Sequence, residues 1–118
     1  MIIAIPTEET RKNVCVSFGR APYFLFHNTE TDTTEYIENR AAQAQGGAGP
    51  KAAQLVLDHD ADVLITVRCG ENAARVLQMA EVRIMEAQGQ DALENVKIFL
   101  EGKGKELTHF HAGFHHQQ

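Results

Sequence analysis

The chain opens with a short apolar run, residues 2–5 (Ile-Ile-Ala-Ile), followed at once by Pro6. Such a run reads as a buried strand and the proline as its end. Residues 7–13 are polar and read as a loop, with a second turn at Phe18-Gly19-Arg20-Ala21-Pro22. Residues 23–27 (Tyr-Phe-Leu-Phe-His) are aromatic and apolar, a composition that favours a strand. Residues 28–33 are turn-rich and 34–39 read as a returning strand, so the pair predicts a hairpin with a loop slightly longer than the tightest type.

The second half changes period. Residues 41–50 have the most flexible composition of the chain and end Gly46-Gly47-Ala48-Gly49-Pro50. Pro50 suits the first turn of a helix, where its missing N–H would have no partner, and the helix is expected to reach about Asp58. Residues 61–67 are almost continuously apolar, as in a parallel strand covered on both faces. Ala73, Val76, Leu77 and Ala80 then recur at i, i+3, i+4 and i+7, one buried face of a helix. Residues 82–86 read as a shorter, mixed strand near an edge. Leu93, Val96 and Leu100 mark a last helix, which Gly102 is placed to stop. A strand, a hairpin and then α-β-α-β-α predict an α/β domain whose mixed sheet has an antiparallel front and a parallel back. After Gly104 the periodicity is lost. Residues 1–104 are therefore expected to form the domain, and residues 105–118 a histidine-rich flexible tail.

Composition narrows the function. A chain of 118 residues has room for one core, and 43% hydrophobic residues can fill it. The formal charge is −5, and among 11 Lys and Arg only Arg11 and Lys12 are adjacent. That disfavours a nucleic-acid or anionic-membrane partner, both of which call for a basic face. The apolar start is too short for a signal-peptide core and lacks a basic stretch before it, and no run approaches membrane-spanning length. A cytoplasmic protein with Cys15 and Cys69 as reduced thiols is the expectation.

Several stretches carry candidate chemistry. The glycines before the Pro50 helix offer free N–H groups to an anion, although their spacing is not a dinucleotide fingerprint; alone they are more simply a connection needing positive φ. Cys69-Gly70-Glu71-Asn72 follows the most buried predicted strand and opens a helix, the place where open α/β sheets bind ligands. There Cys69 reads either as a thiolate favoured by the helix start or as a small buried hydrophobe. If strands 2–5 and 62–67 are parallel neighbours, the loops bearing Cys15 and Cys69 open at one edge, and the thiols would face one crevice. His109, His111, His115 and His116 resemble a soft-metal tract but match no closed zinc motif. His27 and His59 are isolated and read as structural or surface residues. No Ser/His/Asp pattern, nucleophile elbow or Walker-type loop appears, and the first strand bears no aspartate to start a two-metal nuclease site. A non-enzyme is therefore expected.

Three stretches in this order, Val16-Ser17-Phe18-Gly19-Arg20-Ala21-Pro22-Tyr23-Phe24, then Gly46-Gly47-Ala48-Gly49, then Cys69-Gly70-Glu71-Asn72-Ala73-Ala74-Arg75-Val76-Leu77, resemble the dinitrogenase iron-molybdenum cofactor biosynthesis family, the NifX/NafY-like domains. The similarity covers roughly residues 1 to 101. It implies a three-layer α/β/α, ribonuclease-H-like fold with a five-stranded mixed sheet in the order 3-2-1-4-5 and no nuclease activity. It further implies a carrier of an iron-sulfur or iron-molybdenum cluster precursor, with metallocofactor assembly or recipient proteins as partners. On this reading Cys15, Ser17, Arg20, Gly47, Gly49, Cys69 and Gly70 contact the cluster, and Cys69, Cys15, His109, His111, His115 and His116 supply metal ligands. Members often have a histidine just before Phe-Gly-Arg, where this chain has Ser17, so Cys69 and the histidine tail are the expected replacements. The alternative is a small adaptor domain that binds a protein partner and no metal.

Overall fold

Five strands and three helices follow one another in the computed structural model, which describes residues 1–112. The strands are β1 (Ile2–Thr7), β2 (Tyr23–Asn28), β3 (Thr33–Glu38), β4 (Val63–Thr66) and β5 (Arg83–Glu86). The helices are α1 (Ala48–Asp58), α2 (Glu71–Met79) and α3 (Ala92–Leu100). The sheet order is β3-β2-β1-β4-β5, with β1–β2 and β2–β3 antiparallel and β1–β4 and β4–β5 parallel. This is the mixed sheet that the element order and the family resemblance both imply.

β1 runs through Pro6 to Thr7 rather than stopping at the proline. Its pairing with β4 is confined to Ile3 and Ala4, so the N–H that Pro6 lacks removes no ladder bond on that side. Alternation splits the sheet residues between two cores. Ala4, Phe24, Phe26, Leu64 and Ile84 face α1 and α2, which pack against each other. Ile3, Ile5, Leu25, Val63, Ile65 and Met85 face α3. The layers are therefore α/β/α.

α3 turns a different stripe inward from the one its leucines suggest. Ala92, Asn95 and Val96 are buried, whereas Leu93 and Leu100 are 51% and 52% exposed. The reason is polar: Asn95 accepts from Gln88 N at 2.6 Å and donates to Asp91 O at 2.9 Å, which fixes the start of α3 against the loop before it. In α2 the inward residues are Ala73, Ala74 and Leu77; Val76 is half-buried and Ala80 exposed. His27 is buried against Thr34, with Nδ1 to Oγ1 2.9 Å, and His59 stacks on Phe26 at 4.6 Å. Both are structural.

The packed chain does not stop at Gly104. Glu86 N donates to Lys105 O at 2.7 Å and Leu107 N to Ile84 O at 3.0 Å, with Glu106 opposite Met85 in an antiparallel bridge. Leu107 and Phe110 pack against the core under α1 and α2. Residues 105–111 thus lie beside β5 as a strap, because two apolar side chains without helical spacing are enough to hold an extended segment. His115 and His116 lie outside the described residues.

Candidate functional site

At the carboxyl edge of β1 and β4, four pieces of backbone meet. The turn at residues 17–20 follows β1, and residues 46–50 open α1. Gly70 leads into α2, and the strap arrives at His111. Together they line an open cleft of about 760 Å³. Its position, beyond the strand ends where the chain leaves β1 and β4 in different directions, is the usual ligand crevice of an open α/β sheet.

Close approach explains two of the glycines. A Cβ on Gly19 would lie 2.9 Å from Gly49 N and 3.1 Å from Gly49 Cα, so the turn can seat on the start of α1 only without a side chain. A Cβ on Gly70 would lie 3.0 Å from Cε1 of His111. Gly47 has another role: it is the N-cap of α1 in the left-handed region, φ 68°.

Both helices begin at the cleft without side-chain caps; Gly47 and Gly70 occupy the N-cap positions. The first amides of a helix have no partner within it. Here these include Ala48 and Gly49 of α1 and Asn72 and Ala73 of α2, all of which line the cleft. Glu71 N is engaged by His111 O at 2.9 Å. Two positive helix ends therefore converge, and two guanidinium groups join them. Arg20 donates through one nitrogen to Ala42 O and Ala44 O, both at 2.8 Å, and Ser17 Oγ accepts from Arg20 N at 3.1 Å. Arg20 thereby ties down the segment before α1. Arg68 is exposed at the rim and makes no ion pair among the described residues. In a chain of net charge −5 this cleft gathers helix-start amides and two guanidinium groups beside one carboxylate, that of Glu71.

Asn39 anchors the arrangement from behind, and sequence reasoning passed over it. It is 2% exposed; its amide donates to Gly19 O at 3.1 Å and Ala21 O at 2.8 Å, and its carbonyl accepts from Ala41 N at 3.1 Å. The available signal was an asparagine just before a short helical turn, here Arg40–Gln43, which it caps.

Of the residues singled out from sequence, Ser17, Arg20, Gly47, Gly49, Gly70 and His111 line this cleft. The cysteines stand outside it, which corrects the expectation of a shared thiol crevice. Cys15 is buried, with its N–H on Pro6 O at 2.8 Å. Cys69 is 1% exposed, its side chain turned into the core under α1 and α2. Burial pushes the Cys69 thiol up from 9.0 to about 12 and raises that of Cys15 as well, so desolvation outweighs the nearby start of α2. His109 borders a separate cavity of about 390 Å³, with Cys69 and Glu86. Among the described residues no three His, Cys, Asp or Glu side chains are grouped to hold a metal ion.

Burial of the Cys69 thiol makes the stability of the fold pH-dependent at alkaline pH. The folded pKa lies above the unfolded one, so the protonated thiol's stabilisation is complete below 9.0 and is lost as pH rises toward 12. Urea unfolding of the parent should weaken across that window more than that of Cys69→Ala. Equal losses in the two proteins would mean that the thiol is hydrated.

Comparison with known proteins adds the following. The family model described as "Dinitrogenase iron-molybdenum cofactor" matches residues 1–102. The uncharacterized protein MJ0580 of Methanocaldococcus jannaschii is 30% identical over 106 residues, covering 87% of this chain and 88% of that protein. The apo form of the orange protein from Desulfovibrio gigas superposes with a TM-score of 0.84 at 30% identity, covering 91% of this chain and 92% of that one. A candidate NifB protein from Thermotoga, TM1290, superposes with a TM-score of 0.77 at 34% identity, covering 92% and 95%.

Proposed function

The chain belongs to the dinitrogenase iron-molybdenum cofactor family, whose name ties it to assembly of that metallocofactor, and from this premise we propose that it carries an anionic, sulfide-bearing cluster precursor without catalysing a reaction. The cargo would be an iron-sulfur or iron-molybdenum cluster, received from one assembly protein and passed to another. One observation carries this reading: the uncapped starts of α1 and α2 open into the same cleft, beside Arg20 and Arg68. Amides and guanidinium groups donate hydrogen bonds to cluster sulfur and balance its charge without bonding to metal. The helix-start amides and Arg20 are held in place before the cargo arrives, so little ordering of these donors is required on binding. The similar Desulfovibrio protein is described as an apo form, which agrees with a fold that takes up a separate group. No helix among the described residues is long and apolar enough to cross a membrane.

The test uses tetrathiomolybdate, a soluble molybdenum-sulfide anion, titrated anaerobically and followed by its visible absorption. Saturable binding that weakens with added salt is expected, with molybdate, which has no sulfide, bound more weakly. Arg68→Ala should lower the affinity by about ten-fold or more, the scale of one charge-assisted hydrogen bond. Cys69→Ala and Cys15→Ala should bind as the parent does. Loss of binding in Cys69→Ala would favour thiolate ligation instead, and a parent that binds no sulfide anion would favour the adaptor role.

A further inference from the structure

The cleft is well furnished for anions and poorly furnished for metal. Its helix-start amides and guanidinium groups meet the sulfide surface of a cluster and leave the metal atoms untouched. Among the described residues that line it, only His111 and Glu71 carry an imidazole, thiol or carboxylate. Imidazole is the better match for iron in a sulfide environment, since carboxylate suits harder cations.

His111 is held for such a role from both sides. Its N–H donates to Cys69 O at 3.3 Å and its C=O accepts from Glu71 N at 2.9 Å, in a parallel bridge with Gly70. The ring occupies the space a side chain at position 70 would need: a Cβ there would lie 3.0 Å from Cε1 and 3.4 Å from Nε2. Nδ1 faces Ala112 O at 3.4 Å, and among the described residues Nε2 has no hydrogen-bond partner. In the tautomer that directs Nδ1–H at this carbonyl, Nε2 carries the lone pair, the arrangement that metal-bound histidines commonly adopt. The side chain is exposed, so no refolding is needed to reach a cargo.

We infer that His111 is the metal-ligating residue of this cleft, its Nε2 taking an open coordination position on an iron atom of a sulfide-bridged anionic cargo. The inference rests on the cleft reading above and adds the one protein–metal bond to it. A single neutral donor beside an ionic cradle gives orientation without permanence: one bond breaks on release, and no thiolate has to be protonated. The strap acquires a purpose as well, since its backbone bonds to residues on either side of Gly70 position the imidazole.

Two probes separate this inference from its premise. Tetrathiomolybdate, whose molybdenum is already saturated with sulfide, reads the anion cleft alone. Tetrathiomolybdate with ferrous iron leaves iron positions open to a protein donor. His111→Ala should lose at least about ten-fold more affinity for the second probe, read as iron retained after gel filtration, than for the first. His109→Ala, altered in the neighbouring cavity, should retain iron like the parent. If His111→Ala holds iron as well as the parent, the ligand assignment is overturned and the cleft reading stands. Equal losses of both probes would make His111 a wall of the cleft and not a ligand. A parent that takes up neither probe overturns both.

Discussion

Asn39→Ala should destabilise the fold by about 2–4 kcal/mol and weaken tetrathiomolybdate binding by about ten-fold, although residue 39 touches no part of the cleft surface. The first figure follows from what the side chain holds. It satisfies Gly19 O, Ala21 O and Ala41 N, and alanine would leave these groups short of a partner in a site that is 2% exposed. Each stranded group costs about 1–3 kcal/mol, and partial hydration of the turn keeps the sum below three full penalties. A loss of this size is a large share of the about 5–15 kcal/mol that usually separates folded from unfolded domains. The second figure follows from where the bonds go. Gly19 seats on Gly49 at the start of α1, so freeing its carbonyl loosens the contact that fixes one wall of the cleft. Asn95→Ala is the matched control. Asn95 is equally buried and has three comparable hydrogen bonds, but on the α3 side of the sheet. Both variants should lose stability in urea unfolding, and only Asn39→Ala should lose affinity in excess of its unfolded fraction. Parallel losses in the two would refute a specific anchoring role.

The contrast between these two asparagines shows what could be read from the sequence. The succession of elements and the two-sided burial of β4 follow from apolar runs, because a parallel strand has no solvent face to make polar, whereas the order of strands in the sheet rested on the family resemblance. The glycines were visible as a cluster, yet their reasons were not: Gly19 matters through Gly49, thirty positions away, and Gly70 through His111. Contacts of that span leave no local period. The burial of Cys69 was one of two open readings, and the choice between them was hidden for the same reason. Position after a strand and before a helix suggests a thiolate, but rotation of one side chain into the core reverses the electrostatics. Asn39 and Asn95 were the least legible. A buried polar residue looks like a surface residue until the carbonyls it serves are known. The start of the strap was misjudged because Leu107 and Phe110 follow neither a helical nor a strict strand spacing, and extended segments held by two anchors have no pattern to show.

Ending the chain after Gly104 should lower the melting temperature by on the order of 10 °C, where a merely dangling tail would leave it unchanged. The deletion removes Leu107 and Phe110, each partly buried against the core, at about 1 kcal/mol or somewhat more apiece. It also strips Glu86 N and Leu107's acceptor, Ile84 O, of their backbone partners and leaves β5 as a bare edge. A loss of about 2–3 kcal/mol gives a shift of that size in a domain this small. The deletion acts on chemistry too. The strap lies over Cys69: His111 N bonds to its carbonyl, and Leu107, Phe110 and His111 line the cavity that Cys69 borders. In a Cys15→Ala background, Cys69 of the longer chain should react slowly with a disulfide reagent at neutral pH, and that of the chain ending at Gly104 should react rapidly. Deleting only residues 113–118 keeps each of these contacts and should change neither quantity. A thiol that stays protected in the chain ending at Gly104 would show that α1 and α2 alone bury it. The strap's part would then be confined to stability, read from the melting temperature.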